Sequence, residues 1–150
     1  MINRTANGNM PGPEEFSSES PVARIGESLR EANSPMNLLI PKARTRIGTW
    51  NVKTLYQTGK LNLVAQEMDK YGIKVLGLCE TRWNGCGLLK LPSGKVIVYS
   101  GHQDLNHEHS QGVAILMTPA AEKALIGWEP VSPRLMSARF SSEGRKVTVI

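Results

Sequence analysis

Apolar positions recur along this chain with different spacings, and each spacing predicts a different element. Leu61, Val64, Ala65 and Met68 stand at i, i+3, i+4 and i+7, which is one face of a helix. Thr58-Gly59 precedes that face, and Gly72 stands where a C′ glycine stops a helix. Ile73-Lys-Val-Leu-Gly-Leu-Cys79 is a nearly continuous apolar run between Gly72 and the polar Glu80-Thr-Arg82. Continuous runs of this length predict a strand buried on both faces, with Cys79 as a core thiol. Arg46-Ile-Gly-Thr-Trp-Asn-Val52 is β-rich, follows Pro41, leads into polar Lys53-Thr54 and predicts an earlier strand. Strand, helix and strand together have the length that a parallel βαβ crossover needs.

The second half is patterned for strands. Lys95 to Ser100, Gln111 to Met117, Arg134 to Phe140 and Lys146 to Ile150 are apolar or alternating. Ser93-Gly94 and Ser142-Glu-Gly-Arg145 supply turn chemistry between them. Ala120 to Ile126 predicts a short helix after Pro119, which suits a first-turn position. Asn84-Gly-Cys-Gly87 reads as a flexible loop. Strands with hairpin signals after a βαβ unit predict an α/β sandwich. The final run, Val147-Thr-Val-Ile150, is apolar, whereas chain ends are usually polar and frayed. It predicts an exposed strand edge that pairs with further chain or with a partner.

Composition divides the chain. Residues 1–43 hold five of the nine prolines and one aromatic, Phe16. Such a segment cannot bury enough apolar surface to offset its ordering entropy, so a disordered arm is expected there. A short amphipathic patch runs from Val22 to Leu29. The arm carries four Lys/Arg against five Glu, a net of −1. Residues 44–150 carry fourteen basic against eight acidic residues, a net of +6. That excess favours a polyanionic partner through counterion release and steering. No run of eighteen apolar residues exists to span a membrane, and the polar start MINRTANGNM is no secretory signal. With only Cys79 and Cys86, a disulfide scaffold is excluded and an intracellular setting is expected.

Two strand ends carry the candidate chemistry. Asn51 stands where the first strand runs out, and Glu80 ends the buried second strand. Parallel neighbours in one βαβ unit point both ends to the same sheet edge, where ligand sites of α/β sheets gather. A lone carboxylate in a basic domain suits Mg2+, which takes one or two carboxylates and fills its octahedron with water and phosphate oxygens.

Thr49-Trp-Asn-Val52, then Leu76-Gly-Leu-Cys-Glu-Thr-Arg-Trp83, Gly112 to Met117 and Arg134 to Phe140 occur in an order that resembles the endonuclease/exonuclease/phosphatase superfamily. The closest resemblance is to the apurinic-endonuclease-like domains of non-LTR retrotransposons and the craniofacial development protein 2-like proteins related to them. It runs from about Arg46 to Ile150. It implies a DNase-I-like fold, a four-layer α/β/β/α sandwich of which residues 44–150 are the N-terminal, incomplete half. It implies hydrolysis of a phosphodiester in DNA, or in RNA, by an activated water with Mg2+ (or Mn2+) as cofactor, and the nucleus as a compartment for a DNA substrate. Glu80 matches the family's metal-binding glutamate, and Asn51 the asparagine that helps position metal and scissile phosphate. Arg134 matches an arginine on the nucleic-acid-facing side. Arg82 and Trp83, directly after Glu80, are further nucleic-acid candidates; Trp83 either stacks on a base or caps the core.

The family pattern continues with a Tyr strand end, an Asp-x-Asn loop, a later Asp and an Asp-His pair. None is present, and the only aspartates are Asp69 and Asp104. An inactive fragment is therefore expected. The alternatives are an inositol-phosphate or lipid phosphoesterase of the same fold, or a non-catalytic nucleic-acid-binding remnant. All three histidines fall between Gly101 and His109, and read as a polar loop rather than a metal site. A zinc site on Cys79 and Cys86 would need two more ligands.

Overall fold

A computed structural model describes residues 44–150. The arm over residues 1–43 and its amphipathic patch lie outside the described residues. The elements run β1 (Arg46–Asn51), α1 (Lys60–Lys70), β2 (Ile73–Cys79), β3 (Cys86–Lys90), β4 (Val96–Ser100), β5 (Val113–Met117), α2 (Pro119–Ala124), β6 (Leu125–Ser132), β7 (Leu135–Ser142) and β8 (Arg145–Val149). The βαβ unit forms as expected: β1 and β2 are parallel, with Asn51 opposite Cys79. The N–H groups of Tyr71 and Gly72 close α1 onto Glu67 O and Asp69 O at 3.1 and 3.0 Å. Gly72 takes φ +63°, a left-handed stop that costs glycine no Cβ clash.

The strands make a five-stranded sheet of order β1-β2-β5-β4-β3 and an antiparallel three-stranded sheet of order β6-β7-β8. Side-chain alternation feeds two cores. Val75, Val96, Val98, Ile115 and Met117 face the smaller sheet and pack with Trp128, Met136, Ala138 and Phe140. Leu76, Leu78, Ile97, Ala114 and Leu116 face the other way, onto Val64, Ala65 and Met68 of α1. Each such large side chain contributes about 1.5–3 kcal/mol by leaving water. Helix α2 is capped by Thr118, whose Oγ1 accepts from Ala121 N, and it buries Ala121 and Ala124 in the inter-sheet core. The architecture is thus mixed α/β with two packed sheets. Lys95, buried just before β4, ties α1 to the sheet through a 2.6 Å bond from Nζ to Asp69 Oδ2.

Four sequence expectations change. The stretch read as a flexible loop at Asn84 to Gly87 leads into β3, where Cys86 pairs with Ser100 and Gly87 with Tyr99. The short helix ends at Ala124, and Leu125 and Ile126 already belong to β6. Strand β6 escapes the pattern because Glu129 and Pro130 interrupt it; an edge strand tolerates that proline. Cys79 is exposed rather than a core thiol, because the smaller sheet covers Val75 but not the last residue of β2.

Among the described residues strand β8 pairs with β7 alone, and Ile150 beyond it is 83% exposed. The outer face of the smaller sheet carries Glu129, Ser137, Arg139, Lys146 and Thr148 by register. Among the described residues no helix is long and apolar enough to cross a membrane.

Candidate functional site

Because β1 and β2 are parallel, their last residues meet at one sheet edge. Asn51 Nδ2 donates to Glu80 Oε1 at 2.6 Å, and Asn51 Oδ1 accepts the N–H of Lys53 at 3.0 Å. The amide can satisfy both partners in one orientation only, so the two bonds fix it. Lys53, Glu80 and Arg82 take φ of 58°, 57° and 59°. Non-glycine residues hold that left-handed conformation where surrounding structure over-determines it. Here the segment after β2 is stitched on both sides. Val52 N donates to Cys79 O at 3.1 Å and Leu55 N to Thr81 O at 2.8 Å. Thr81 N donates to Gly112 O at 3.1 Å and Arg82 N to Gln111 O at 2.6 Å.

The turn between β6 and β7 arrives at the same edge. Gly112 N donates to Pro133 O at 3.0 Å, and Ser100 Oγ to Ser132 O at 2.8 Å. Arg134 is exposed in that turn, as Arg82 is exposed after Glu80. The fold therefore gathers Asn51, Glu80, Arg82 and the Arg134 turn. Trp83 is turned differently: it is half-buried against the helix-side core and edge-on to Tyr99, ring centroids 5.1 Å apart. Its carbonyl meets the backbone just after β4 so closely that a Cβ on Gly101 would lie 1.8 Å from Trp83 O.

The donor set suits a hard cation. Glu80 is an exposed carboxylate whose Oε1 is oriented by Asn51, and Mg2+ accepts one carboxylate with water and phosphate oxygens in its other positions. Among the described residues no three or more His, Cys, Asp or Glu side chains gather around a possible ion. The histidines do not share one either. His102 and His107 stack face to face at 3.6 Å, whereas His109 leaves them for Tyr56 at 4.6 Å. Tyr56 and His109 meet beside the segment that carries Glu80, a pairing the sequence does not show. They are distant in sequence, and nothing in either local pattern pairs them.

Over 104 residues the chain is 38% identical to Craniofacial development protein 2 of Tragulus javanicus and to Craniofacial development protein 2 of Bos taurus. The match covers 69% of this chain and spans 17% of the length of each of these curated relatives. No family model matches the chain, and no solved structure matches it.

Proposed function

We propose that residues 44–150 are the metal-side, N-terminal half of a DNase-I-like phosphodiesterase domain that acts on DNA with Mg2+ or Mn2+. The observation that carries this reading is the Asn51–Glu80 bond of 2.6 Å at the common end of two parallel strands. Glu80 would hold the ion, and Asn51 fixes the carboxylate that faces it. When bound, the ion stabilises charge on the phosphate oxygens and the leaving group. Exposed Arg82 and Arg134 bind the flanking phosphates, as guanidinium forks do well. The net of +6 over residues 44–150 draws the polyanion to them. The similarity to the two craniofacial development proteins over 104 residues supports one shared fold. Among the described residues β8 is an edge strand, and further strands of a four-layer sandwich would pair there.

Hydrolysis also needs a group that orients water, and among the described residues Glu80 is the one carboxylate bonded into this edge. Residues 44–150 therefore bind metal and DNA without turnover. The test is plasmid nicking with Mg2+ beside DNA binding over a salt series. Binding that weakens steeply with salt, with no nicking, is expected. Nicking that disappears in Glu80→Ala would overturn the claim of no turnover. Absence of DNA binding at low salt would overturn the nucleic-acid reading.

A further inference from the structure

The geometry points to a nucleobase-stacking platform beside the metal-side pair, formed by Tyr56 and His109. The inference rests on the DNA reading above and names how that site engages a strand. The two rings lie 4.6 Å apart at 46°. Both are anchored on the segment that carries Glu80. Leu55, next to Tyr56, donates its N–H to Thr81 O at 2.8 Å, and Tyr56 N donates to Thr54 Oγ1 at 3.0 Å. His109 Nδ1 lies 3.0 Å from Arg82 O. A carbonyl only accepts, so Nδ1 carries the proton in that bond and the ring is held in one tautomer.

Neither ring belongs to a core. Tyr56 is 66% exposed, and His109 is exposed as well. An aromatic side chain that buries so little gains little from its position, yet here two are braced against each other by separate backbone bonds. Bases stack on such rings whatever their identity, since every base has a π-face. Because Arg82 O holds His109 and Arg82 follows Glu80 by two residues, a ring face is offered to a base whose phosphate lies at the metal side. The ligand is a strand with an unstacked base, single-stranded or locally opened. Trp83, turned into the core, does not supply this face.

The test compares two labelled strands of equal length by fluorescence anisotropy with the whole chain. One is single-stranded DNA, the other the same backbone with abasic residues. The wild type is expected to prefer the base-bearing strand by about 5–150-fold, the range one base–aromatic stack supplies. Tyr56→Ala removes that preference and leaves abasic-strand affinity unchanged, Tyr56→Phe keeps it, and His109→Ala reduces it. A preference that survives Tyr56→Ala overturns the platform, as does equal wild-type binding to both strands; either result leaves the DNA reading standing. Failure of both strands to bind overturns the DNA reading itself, and the platform falls with it.

Discussion

Asn51 Nδ2 and Glu80 Oε1 meet at 2.6 Å across the open ends of β1 and β2, while Asn51 Oδ1 is occupied by Lys53 N–H at 3.0 Å. The asparagine acts as a clamp on the carboxylate. A Glu80 freed from it would sample other rotamers and lose part of its aim. Outer-shell partners of this kind are worth about 10–100-fold in metal affinity.

Asn51→Ala is therefore expected to weaken Mn2+ binding roughly 10-fold, and Glu80→Ala to abolish it. Titration of Mn2+ followed by electron paramagnetic resonance reads both. Unchanged affinity in Asn51→Ala would show that the clamp does not orient the ligand.

The clamp depends on backbone packing behind it. Gly101 N donates to Gly85 O at 2.7 Å, and an added Cβ would sit 1.8 Å from Trp83 O. Backbone cannot step aside as a flexible side chain can. Gly101→Ala is expected to cost about 3 kcal/mol in urea unfolding. It should also lower Mn2+ affinity, because Trp83 is on the segment that holds Glu80. Wild-type stability in Gly101→Ala would mean that the strand ends can separate freely.

Lys95 and Asp69 make a different kind of tie. The lysine is buried and the aspartate largely exposed, with 2.6 Å between Nζ and Oδ2. Removing the acid strands a buried ammonium, whereas removing the charge from the lysine leaves an apolar stem in an apolar place. Asp69→Ala is expected to cost about 1–3 kcal/mol, and Lys95→Met less. Equal losses in chemical denaturation of the two variants would contradict that asymmetry.

What the sequence made legible follows from strength of period. Helix α1 and strand β2 carry patterns that only one structure satisfies, and the parallel pairing of β1 with β2 then places Asn51 beside Glu80. Strand β3 is opaque because Cys86 and Gly87 at its start carry no apolar alternation; β4 recruits them through backbone pairing. Strand β6 is opaque because Pro130 is a turn signal except on an edge. Cys79 misleads because an apolar run says nothing about how far the covering sheet reaches. Tyr56 and His109 meet only through bonds to Thr81 and Arg82, a relation that no local pattern encodes.

Tyr99 supplies a pH test of the β3–β4 pairing. Burial, and secondarily the Cys86 side chain nearby, push its phenol above the ordinary value of 10.0. A Cβ on Gly87, its register partner, would lie only 3.0 Å from the phenol oxygen. An acid whose folded pKa is raised holds its proton longer in the folded state. The unfolded chain therefore loses that proton first as pH rises. The stability contributed by neutral Tyr99 is present in full below pH 10.0 and is lost as pH climbs from there through the folded value. Tyr99→Phe cannot ionise, so it should lose less stability than the wild type over that window. Denaturant midpoints measured on both sides of it compare the two, and tyrosinate absorbance locates the ionisation. Parallel decline of the two proteins would mean that the phenol is not shielded by β3.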